Sequence, residues 1–132
     1  MNPDFNGVWK ADLQRSKLLG PRPKAVQATI KHSGEQLAAE MLITKPDGRE
    51  DRLLFSGRIS GEDVTNVVQG VEMRSRLQWV GHELLIESGV NVAGRQAHFL
   101  DYWSLSSDGR TLIMEHRGDD LAGQITYLER MR

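Results

Sequence analysis

The chain has 132 residues, with 17 basic and 18 acidic side chains, a formal net charge of -1 and no cysteine. The length suits one domain, residues 1–132, large enough for a core of its own. The missing cysteines exclude a disulfide framework, a thiolate metal site and a cysteine nucleophile. Balanced charge supplies no basic field to draw nucleic acid or anionic lipid, so neither is expected as a partner. No run nears the roughly 18 apolar residues of a membrane span, and Asp4 and Asp12 interrupt the stretch where an export signal needs an uncharged core. A cytoplasmic chain without membrane insertion is therefore expected, or a periplasmic or secreted one if a leader has been removed.

The first element is a strand over residues 5–10. Phe5 and Trp9 share a face there, and Gly7 between them lets a neighbouring backbone approach. Residues 14–24, with Gly20, Pro21 and Pro23, break both helix and strand and read as a connecting loop. Residues 25–32 then alternate, placing Val26, Ala28, Ile30 and His32 on one face.

After a turn at Ser33, Gly34 and Glu35, residues 36–45 carry Leu37, Ala39, Met41 and Ile43 on a shared face. Pro46, Asp47 and Gly48 have the chemistry of a tight turn, and residues 49–58 follow as a strand with Leu53 and Phe55 together. A short run from Val64 to Val68 leads through Gly70 to a longer strand, where Val71, Met73, Leu77 and Trp79 face one way and Glu72, Arg74, Arg76 and Gln78 the other. The latter set is the pattern of a solvated outer face.

Gly81 marks the next reversal, and a strand runs to about Val90 before Gly94 turns the chain again. In residues 95–105 the odd positions Ala97, Phe99, Asp101, Trp103 and Leu105 point one way, so a carboxylate lies between two rings. Ser107, Asp108 and Gly109 turn into a strand with Leu112, Met114 and His116 on one face. A turn at Gly118, Asp119 and Asp120 then leads to the last strand, residues 122–131, with Ile125 and Tyr127 on one face and Leu128 on the other.

About nine or ten strands joined by hairpin turns, with no helical period, predict an all-β fold. A meander this long either splits into a sandwich or closes, and closure removes exposed edges. The expected architecture is an up-and-down antiparallel β-barrel of about 8 to 10 strands, with room for a small-molecule cavity.

Gly7, Val8 and Trp9 on the first strand, together with the meander and the length, resemble the calycin superfamily, which includes lipocalins and fatty-acid-binding proteins. The stretches Trp79-Val80-Gly81-His82-Glu83-Leu84 and Asp101-Tyr102-Trp103-Ser104-Leu105, with Ser107, Asp108 and Gly109, are similar to small bacterial lipocalin-like proteins without an assigned activity. The resemblance implies a lipocalin-like barrel for a small ligand. It also marks departures: the Arg and Tyr that hold a carboxylate in fatty-acid binders would fall on Thr126 and Leu128, and the loop of residues 14–24 stands where those proteins have a helical lid.

The inner lining is expected to include Met41, Phe55, Met73, Trp79, Phe99, Trp103, Met114 and Tyr127, since methionine and aromatic side chains suit an adaptable apolar pocket. Asp101 and His116 are the titratable candidates on apolar faces. A carboxylate there is either paired or has its pKa raised by desolvation, and the histidine is either a satisfied structural residue or an acid–base group. The four histidines show no paired spacing, so no metal is expected, and no phosphate loop or nucleophile elbow points to a cofactor or covalent chemistry.

Two functions fit. One is binding of a small hydrophobic or amphipathic molecule in the cavity, with Asp101 and Tyr127 fixing its orientation. The other is a cofactor-independent isomerase, cyclase or hydratase that uses Asp101 and His116 in the same cavity. Whether the barrel is hollow or filled decides how either stands.

Overall fold

A computed structural model describes residues 3–118 and 123–131. Ten strands follow in order: β1 (Gly7–Ala11), β2 (Ala25–Ser33), β3 (Gln36–Thr44), β4 (Glu50–Arg58), β5 (Asp63–Val68), β6 (Val71–Val80), β7 (Glu83–Val92), β8 (Arg95–Leu105), β9 (Thr111–Gly118) and β10 (Gln124–Arg130). All neighbours pair antiparallel in one sheet, ordered β4-β3-β2-β1-β10-β9-β8-β7-β6-β5. Pairing of β1 with β10 joins the two ends of the meander, so the sheet curls into a nearly closed barrel whose seam lies between β4 and β5. The expected all-β barrel is what forms, and no helix occurs among the described residues.

The turns follow local chemistry. Gly48, Gly81 and Gly109 each sit at positive φ in a hairpin, where a residue without Cβ is unstrained. The turn expected at Asp119 and Asp120 lies outside the described residues. The loop after β1 is held along β10: Lys17 N–H donates to the Ile125 carbonyl at 2.7 Å and Ile125 N–H returns to Lys17 at 2.9 Å. Buried Ser16 accepts from the Tyr127 amide at 3.0 Å and donates to the Asp12 carbonyl at 2.8 Å. These bonds satisfy backbone groups of β10 that lie past the short β1.

The opening stretch differs from expectation in detail. Phe5 precedes β1 rather than lying in it, and the tie between the two rings is the Trp9 indole N–H donating to the Phe5 carbonyl at 3.0 Å. What comes close to Gly7 is a side chain, not a backbone. A Cβ there would lie 2.9 Å from the Arg130 guanidinium, which stacks 4.2 Å from the Trp9 ring and donates to the Asn6 carbonyl at 2.7 Å.

The interior is divided along its length. Phe5, Trp9, Ile30, Leu37, Leu77, Leu84, Leu112 and Leu128 are fully or almost fully buried and plug one end. Phe5 is its hub, stacked on His32 and Trp79 with ring centroids 5.7 and 5.9 Å away, and edge-on to Trp103 at 5.8 Å. His32 is satisfied there, accepting from the Phe5 amide at 3.2 Å and bonding the Gly34 carbonyl at 3.1 Å. The barrel is thus both filled and hollow: the plug occupies one end and a cavity the other.

Candidate functional site

Alternation along the strands aims a mixed set of side chains into the open half of the barrel. The cavity there has a volume of about 350 Å³. Its apolar wall is Ala39, Met41 and Ile43 from β3, Leu53, Leu54 and Phe55 from β4, Val68 from β5, Met73 from β6, Ile86 from β7, Trp103 from β8 and Met114 from β9. Polar atoms come from Ser88, Asp101, His116, Gln124 and Thr126.

The central polar feature is one cross-strand pair. Asp101 on β8 and His116 on β9 are register partners, and β-sheet geometry puts directly opposed side chains on the same face. Their contact is a hydrogen bond of 2.7 Å between His116 Nδ1 and Asp101 Oδ1. The carboxylate holds the imidazole pKa above its ordinary 6.5, while partial burial pulls it down. Phe99, next inward-facing on β8, stacks on the imidazole at 5.4 Å and 25°. At side-chain exposures of 27% for Asp101 and 35% for His116, the pair keeps access to solvent. Deeper in the wall, the Ser75 and Ser88 hydroxyls satisfy each other at 2.8 Å.

The structure brings together seven of the ten residues picked from the sequence: Met41, Phe55, Met73, Asp101, Trp103, Met114 and His116 all line the cavity. Three stand elsewhere. Phe99 has the expected parity but sits beside the cavity, as the platform under His116. Trp79 shares a face with Met73 but lies six residues along β6, roughly 20 Å at strand rise, and packs on Phe5 in the plug. Tyr127 is corrected outright, because it faces away from the interior. Inward positions of β10 are Gln124, Thr126 and Leu128, and the Arg15 guanidinium covers the Tyr127 ring from outside at 4.7 Å.

Ser88, Gln124 and Thr126 were not picked from the sequence. For Ser88 a signal existed, since it shares parity with Leu84 and Ile86 on β7. On β10 the apolar pair Ile125 and Tyr127 outweighed Leu128, which inverted the strand.

The fold, a nearly closed ten-stranded antiparallel barrel, is similar to that of solved fatty-acid-binding proteins. Secretory abundant heat soluble protein 4 from Ramazzottius varieornatus superposes with a TM-score of 0.70 at 12% identity, over 96% of this chain and 94% of that one. Fatty-acid-binding protein 1 from Echinococcus granulosus gives 0.67 at 12% identity, over 97% and 98%. The fatty acid binding protein of Schistosoma mansoni in complex with arachidonic acid gives 0.65 at 11% identity, over 97% and 96%. No family model matches the sequence, and no curated protein matches it.

Proposed function

We propose that this protein binds a small hydrophobic or amphipathic molecule in the open half of its barrel. The carrying observation is the cavity itself: about 350 Å³, walled by Met41, Met73, Met114, Phe55 and Trp103, with one polar pair converging on it. That volume is at the lower end of the roughly 300–1,000 Å³ range of small-molecule sites. Burial of the ligand's apolar part supplies the affinity, and methionines let the wall adapt to its shape. The polar end of the ligand meets Asp101 and His116. Structures of similar fold that bind fatty acids support the reading.

Trp103 lies in the wall and reports occupancy. A fluorescence titration with medium-chain lipids, aromatic compounds and haem should give a saturable change with at least one class, and the change should weaken in Met114→Ala. Absence of saturation with every class would overturn the proposal.

One observation favours a second reading, acid–base catalysis in the same cavity. Both candidates face inward and are already bonded at 2.7 Å, an arrangement in which a carboxylate fixes the ring through Nδ1 and leaves Nε2 to exchange a proton with a bound molecule. In that reading the protein isomerises, cyclises or hydrates its ligand without a cofactor. Protein-dependent deuterium incorporation into a bound ligand in D2O, lost in His116→Gln, is the expected result. A ligand that binds saturably and exchanges no faster than free in solution would remove it.

A further inference from the structure

The charges in the cavity wall specify the ligand's polar end. Among its described residues the only ionisable side chains are Asp101 and His116, and no arginine or lysine lines it. The nearest basic residue along β9, Arg117, is turned to the outer face and bound to Glu115 at 2.6 Å. The pair has no net positive charge in either state of the ring: it sums to zero with His116 protonated and to -1 with His116 neutral. A ligand carboxylate would bring a second anion beside Asp101 with no surplus cation to balance it, which is costly in a partly desolvated wall.

The same pair suits a hydroxyl. Asp101 Oδ1 and His116 Nδ1 take each other, leaving Asp101 Oδ2 as an acceptor and His116 Nε2 as a donor when the ring is protonated and an acceptor when it is neutral, neither with a protein partner among the described residues. Neither atom is sealed from the cavity or solvent, since among the described residues no buried side-chain nitrogen or oxygen lacks a partner. An alcohol can donate to Oδ2, or accept from Nε2–H when the ring is protonated, whereas a carboxylate can only accept. Thr126 and Gln124 stand on the adjacent strand with uncharged polar groups of the same kind.

Building on the proposed binding role, we propose that the cavity selects an apolar alcohol over the carboxylate of the same chain, with Asp101 as the discriminating residue. Calorimetric titrations of the full chain at pH 7 with 1-decanol, methyl decanoate and decanoate test it. Decanol should bind at least about tenfold more tightly than decanoate, because like charges brought together at a binding site are strongly unfavourable. The ester, neutral but without a donor, should fall between them, and Asp101→Asn should bring decanoate to within a few-fold of decanol. Because the three ligands are compared on the unaltered protein, the result survives a variant that fails to fold. Decanoate binding as tightly as decanol, or an ester equal to the alcohol, would overturn the selectivity while leaving the binding role standing. Failure of all three to bind, together with no saturation in the fluorescence panel, would overturn both.

Discussion

The Asn66 carboxamide spans the seam of the barrel to one residue, accepting from the Ser56 amide at 3.0 Å and donating to the Ser56 carbonyl at 2.9 Å. β4 and β5 share no backbone ladder, so this side chain stands in for a rung that the main chain does not make. Nearby, Gly57 lets Val64 and Leu77 pack against β4, since a Cβ there would lie 3.1 Å from each. Asn66→Ala removes both bonds at an accessible site and should cost about 1 kcal/mol of global stability, near the net value of ordinary hydrogen bonds. Its local effect should be larger: the Ser56 amide should lose its protection in hydrogen exchange while amides of β8 keep theirs. Unchanged Ser56 exchange would mean that the seam is held by side-chain packing alone.

Gly7 combines two constraints, a φ of +143° and the Arg130 guanidinium 2.9 Å from where a Cβ would be. The second is soft, because a long side chain can swing aside, and the first is not. Gly7→Ala should therefore destabilise the fold by about 1–3 kcal/mol, the range for backbone held in a region that side chains avoid. Denaturant unfolding of Gly7→Ala in wild-type and Arg130→Ala backgrounds separates the terms. Most of the loss should remain when Arg130 is absent, and full recovery would assign it to the guanidinium instead.

Much of the barrel was legible because alternation with period two repeats on strand after strand, and a one-residue error would turn a whole apolar set to solvent. Parity on β3, β6, β8 and β9 accordingly leads straight to Met41, Met73, Asp101 and His116. It fails on β10, where Tyr127 finds cover outside the barrel beneath Arg15, a contact between residues far apart in sequence. Alternation also carries no information on depth along the strand, so Trp79 and Met73 look equivalent although one plugs the closed end and the other walls the cavity. Asn66 shares the half-buried face of β5 with Val64 and Val68, but its partner across the seam is set by tertiary closure. The Asp101–His116 bond is intermediate: parity puts both inside, while only the β8–β9 register makes them opposite neighbours.

The plug and the cavity should respond separately to mutation. Phe5 is fully buried and contacts His32, Trp79 and Trp103, so Phe5→Ala leaves a void and should cost about 3–5 kcal/mol, the usual range for aromatic truncation in a core. Met41→Ala in the cavity wall should cost less, since the side chain is only partly buried and already borders open space. Thermal unfolding of both variants gives the comparison. Equal losses would show that the cavity half is packed as tightly as the plug.

Protonation of His116 couples the pair to stability. Its pKa in the folded chain lies above 6.5, first because of the hydrogen bond to Asp101 and against the opposing effect of burial. The folded state thus binds the proton more tightly than the unfolded state does. The stabilisation is fully present below the unfolded pKa of about 6.5 and is lost as pH rises through the higher folded value. Exposure of the ring limits its size through solvent screening. In Asp101→Asn the neutral amide cannot hold the imidazolium, so the His116 titration followed by NMR should move to lower pH and this part of the stability profile should flatten. An Asp101→Asn protein in which His116 titrates as in the wild type would place the source of the shift outside the pair.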